Sequence, residues 1–95
     1  MRMLMKAQIP TEGGNRGIKD GSLPATIRKF MEMAKPEAAY FTTMDGLRTM
    51  IAVFDLQTLP DMVRIAEPMF AAVDASIEFM PCMNADELKS GLSTL

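Results

Sequence analysis

A chain of 95 residues is the size of one domain, and 48% apolar side chains are enough to build a core. One cysteine and no histidine exclude an internal disulfide and argue against a tetrahedral zinc site, so no cofactor or metal is expected. A net charge of −2 lacks the basic surplus that nucleic-acid binding draws on, so no nucleic-acid partner is expected either.

The opening Met1-Arg2-Met3-Leu4-Met5-Lys6 is too soon interrupted by charge to be a secretory leader. Residues 3–9 alternate, with Met3, Met5, Ala7 and Ile9 on one face of a strand that Pro10 closes. Residues 11–21 hold Gly13, Gly14, Gly17 and Gly21 among several charges and read as a long polar loop. Ser22-Leu23-Pro24 opens a helix in which Ser22 caps the free amides, and Leu23, Ile27, Phe30, Met31 and Ala34 form its apolar stripe. Lys35-Pro36 stops that helix.

Ala38 to Thr43 reads as a second strand, Asp45-Gly46 as a hairpin turn, and Arg48 to Leu56 as a third strand that is apolar on both faces. Thr58-Leu59-Pro60-Asp61 repeats the helix opening, followed by the stripe Met62, Ile65, Ala66, Met69, Phe70 and Val73. Pro68 falls within this stripe, so the helix is expected to end near Glu67 and a separate short turn to begin at Pro68. Ser76 to Met80 is a fourth strand. Asn84-Ala85-Asp86-Glu87 has capping-box spacing ahead of a tail, residues 83–95, that carries Leu88, Leu92 and Leu95.

The order is β-α-β-β-α-β plus a helical tail: a ferredoxin-like α+β fold with a four-stranded antiparallel sheet, forming one domain over 1–95. Two helices cover one face of such a sheet. The other face keeps apolar residues of the third strand, which a second copy would cover, with the leucine tail as a clasp. A homodimer is therefore expected, of unspecified size beyond two. No apolar run approaches the ~20 residues that span a bilayer, and a lone thiol suits a reducing compartment. No membrane partner and a cytoplasmic location are the expectations.

Several stretches carry a resemblance: Gly17-Ile18-Lys19-Asp20-Gly21-Ser22-Leu23-Pro24, Lys35-Pro36-Glu37-Ala38-Ala39-Tyr40-Phe41-Thr42, Ala52-Val53-Phe54-Asp55-Leu56, and Ala75 to Pro81. Nearly the whole chain resembles the dimeric α+β barrel superfamily, and within it a set of small uncharacterised bacterial proteins. From Ala52 to Met83 it is also loosely similar to muconolactone isomerases. The superfamily includes cofactor-independent monooxygenases, isomerases and haem enzymes. The resemblance implies the dimer more than any one activity. No catalytic motif of those enzymes matches residue by residue, and the absence of His does not suit the haem branch.

Candidate site residues each admit two readings. Lys6 and Glu78 interrupt apolar alternation on neighbouring strands; they are either an acid–base pair on the dimer-facing side or a cross-strand ion pair. Tyr40 shares a face with Thr42. Together with Arg48, whose guanidinium suits a carboxylate, they are candidates for ligand binding, or an edge aromatic and a solvated charge. The glycine-rich 11–21 segment lacks a P-loop ending, leaving a lid with Arg16 and Lys19 or a plain mobile loop. Cys82 has no nearby base and reads as an inert thiol. Methionines fall mostly on apolar stripes, as core filler or as adaptable lining.

The expected function is a binding module for a small apolar or weakly anionic metabolite. The alternatives are a cofactor-independent isomerase or monooxygenase, and a domain that serves assembly alone.

Overall fold

The computed structural model describes residues 1–95 as β1 (Arg2–Ile9), α1 (Thr11–Asp20), α2 (Ser22–Ala34), β2 (Ala38–Met44), β3 (Leu47–Asp55), α3 (Asp61–Val73), β4 (Ser76–Pro81) and α4 (Ala85–Leu92). The alternation of β1 passes directly into burial. Met3, Met5, Ala7 and Ile9 are buried, while Arg2, Leu4, Lys6 and Gln8 are half-covered on the other face. The sheet order is β2-β3-β1-β4 with every pair antiparallel, as a ferredoxin-like fold requires. Asp45 and Gly46 both take positive φ (57° and 72°), the geometry of a two-residue hairpin turn whose twist matches its strands.

Cross-strand register divides the sheet into two faces. Met5↔Ala52 and Ala7↔Met50 pair beneath the helices, whereas Leu4↔Val53 and Lys6↔Ile51 pair on the open face. The core lies wholly under the helices. Phe30 of α2 meets Phe54 of β3 edge to face, with ring centroids 5.8 Å apart, and Ile65, Met69 and Val73 of α3 pack beside them. Each such burial contributes about 1.5–3 kcal/mol.

Three expectations are corrected. The segment 11–21 is a helix through Asp20, because Gly13, Gly14 and Gly17 lie on one helical face that packs where a side chain would not fit. Gly13 approaches the Val73 carbonyl, Gly14 the Arg48 guanidinium, and Gly17 the side chains of Val73 and Leu23. Close packing offsets the roughly 1 kcal/mol that each helical glycine costs. Secondly, Pro68 sits inside α3, which runs unbroken from Asp61 to Val73. Met69 and Val73, just past Pro68, are both buried. Their combined burial, about 3–6 kcal/mol, offsets the ~3 kcal/mol cost of an interior proline.

Thirdly, Ser22 does not cap α2. Gly21, at φ 81°, is the residue at the cap, and the Asp20 carboxylate accepts from the Ser22 amide at 2.8 Å. The Ser22 hydroxyl is buried without a partner. At α3 a related arrangement appears, with Asp61 accepting from the Thr58 amide at 3.1 Å. The Asn84–Glu87 capping box forms as its spacing implies.

Candidate functional site

Between the covered face of the sheet and the facing ends of α2 and α3 lies a cavity of about 360 Å³. Its size falls within the range of small-molecule pockets, about 300–1,000 Å³. Strand parity supplies one wall, since Ala7, Ile9 and Met50 point inward from β1 and β3. Helical spacing supplies the other, from Leu23 and Ile27 of α2 and Met69 and Val73 of α3. Phe41, on edge strand β2, lines the cavity and is still 57% exposed, which marks where it meets solvent.

One charge borders this apolar space. Arg48 lies at the start of β3, pairs with Ile9 and Thr43 across the ladder, and shares the covered face with Met50. Its guanidinium rests on Gly14 and donates from Nη2 to the Asn15 Oδ1 at 2.9 Å. The α1 helix therefore holds this side chain in place. Thr26, Thr42 and Thr49 also border the cavity. The Thr49 hydroxyl donates to the Leu47 carbonyl at 3.0 Å.

The sequence candidates separate onto two sides of the sheet. Lys6 and Glu78 are directly opposed in the β1–β4 register, as their positions suggest, with Nζ and Oε2 3.6 Å apart. They stand on the open face, where the Glu78 side chain is largely exposed. An exposed pair of this kind contributes about 0–1 kcal/mol. Tyr40 also stands on the open face, opposite Ile51, and is 70% exposed. Thr42 and Arg48 both border the cavity, and Tyr40 does not. Cys82 is half-buried.

Asn15 and Gly14 were not legible as site residues, because a segment read as loop gives no fixed neighbours. The available signal was the spacing of Gly13, Gly14 and Gly17, which places three bare positions on one side of a helix. Phe41 had a signal too: strand parity opposes it to Tyr40 and joins it to the inward side of β3. Arg16, a candidate lid residue, is held by the Asp74 carboxylate at 2.9 Å, which raises its affinity for a proton above the ordinary arginine value. No three His, Cys, Asp or Glu side chains come together as a metal ion would need. No helix is long and apolar enough to cross a membrane.

No protein-family model matches this chain, and no curated protein matches it.

Proposed function

We propose that this chain is a homodimeric binding domain, built as a dimeric α+β barrel, that holds a small apolar or weakly anionic metabolite without converting it. The cavity carries this reading. It is walled by aliphatic and thioether side chains and bordered by a single cation. The groups best suited to proton transfer, Lys6, Glu78 and Tyr40, project from the opposite side of the sheet. An isomerase or monooxygenase acting inside the cavity would have none of them in reach.

The dimer is supported by what one copy leaves uncovered. Leu4, Ile51, Val53, Tyr40 and Met80 lie together on the open face, each half-buried or exposed in a single copy. Leu88 and Leu92 of α4 are exposed, and α4 buries none of its residues. Apolar surface on both the sheet and a projecting helix matches a two-fold contact in which each tail reaches the other copy.

Native mass spectrometry of gently purified protein tests both parts. The expected spectrum is a dimer with a retained small mass, and that mass is lost in the cavity-filling variant Ala75→Leu while the dimer persists. A compact monomer at micromolar concentration overturns the dimer. A retained mass indifferent to Ala75→Leu overturns the cavity as its seat.

A further inference from the structure

Charge pairing across the molecule singles out one residue. Three cations are partly buried: Arg2, Lys6 and Arg48. Arg2 is paired with Glu37 and Glu87, and Lys6 with Glu78. Arg48 has no carboxylate within 4.0 Å, and the only hydrogen bond from its side chain goes to the neutral amide oxygen of Asn15. A guanidinium has five N–H donors in a planar fork. Asn15 fixes that fork against α1 and leaves its charge unneutralised.

A partly desolvated cation beside an apolar space is unfavourable unless an anion completes it. Resting on the reading that the cavity holds a ligand, we infer that the ligand is an amphipathic monocarboxylate whose carboxylate pairs with Arg48 and whose hydrocarbon part fills the cavity. The fork of Arg48 matches a carboxylate in bidentate geometry. A phosphate ester carries about −1.5 to −2 charges near neutrality and would bring more negative charge than one arginine answers. No acidic side chain lines the cavity, so a cationic ligand finds no partner there.

Size narrows the class further. A cavity of about 360 Å³ sits near the lower limit for small-molecule pockets, about 300–1,000 Å³. A short arylalkanoate or a medium-chain alkanoate suits that size.

Calorimetric titration of the intact protein at neutral pH with 3-phenylpropanoate and its neutral isostere 3-phenylpropanamide tests the assignment. The carboxylate is expected to bind about tenfold or more tightly than the amide, as a charge-assisted hydrogen bond implies. In Arg48→Gln that preference for carboxylate over amide disappears, and Arg48→Lys retains part of it. Equal affinities in the unaltered protein overturn the carboxylate assignment and leave cavity binding standing. Failure of both probes to bind overturns the two readings together. Because the comparison is made first on the unaltered protein, it decides the question even if a variant at Arg48 fails to fold.

Discussion

At Gly13 an added methyl group would fall inside van der Waals contact with the Val73 carbonyl, which is backbone and cannot swing away. Gly13→Ala is therefore expected to cost about 1–3 kcal/mol, read as a lowered urea midpoint. Gly91 in α4 faces open space, and Gly91→Ala is expected to raise stability by up to about 1 kcal/mol in the same measurement. Three aspartates make the protein sensitive to acid. Hydrogen bonding from Ser22 lowers the Asp20 carboxyl, the N-terminal ammonium lowers Asp55, and hydrogen bonding from Thr58 lowers Asp61. Each binds a proton less readily folded than unfolded. Its stabilisation is whole above the ordinary aspartate value near 4 and is withdrawn as pH falls through the depressed folded value. Denaturation midpoints should drop more steeply below about pH 4, and Asp61→Asn should lower the neutral plateau and flatten that acid limb. Such partners are invisible in a linear sequence unless they lie a few residues away, which is why the Asn84–Glu87 box was legible and the Asp55 pairing with residue 1 was not.

Among the elements, strands were the most legible. Alternation over residues 3–9 and the Asp45-Gly46 turn fix faces and register by local rules, and β1, β3 and their pairing follow. Helices α1 and α3 defied local rules for one shared reason: tertiary packing outweighed propensity. Glycines discourage a helix in isolation, but in α1 they are what lets it approach α2 and α3. Pro68 removes one amide donor from α3, leaving the helix to be held by the buried residues beyond it. Pro68→Ala restores a donor toward the Arg64 carbonyl while loosening the unfolded chain. The balance is a gain of about 1–2 kcal/mol, measured by chemical denaturation. Of the residues that the sequence singles out, Arg48 and Thr42 border the cavity. Tyr40 lies apart from Arg48 because it stands opposite Ile51 on the open face, whereas Arg48 shares the covered face with Met50.

Across the whole molecule, the longest dimension is 52 Å and the radius of gyration 14.8 Å, against about 12 Å for a compact chain of this length. The difference reflects α4, which stands away from the body. It is tethered by the Glu87 bond to Arg2 and by the Cys82 amide bonding to the Arg2 carbonyl. Replacing Leu88 and Leu92 together by serine should leave monomer stability unchanged within about 0.5 kcal/mol. Under the dimer reading it should shift the sedimentation equilibrium toward monomer. The two rims of the sheet also differ. The β4 rim is short, carries Glu78 and ends at Pro81, whereas β2 offers seven uncharged residues, Ala38 to Met44, without a proline. A bare, uncharged rim is a template for further strands. Ageing of concentrated stocks should therefore begin by fibril-like stacking along β2, and a lysine introduced there would extend their shelf life.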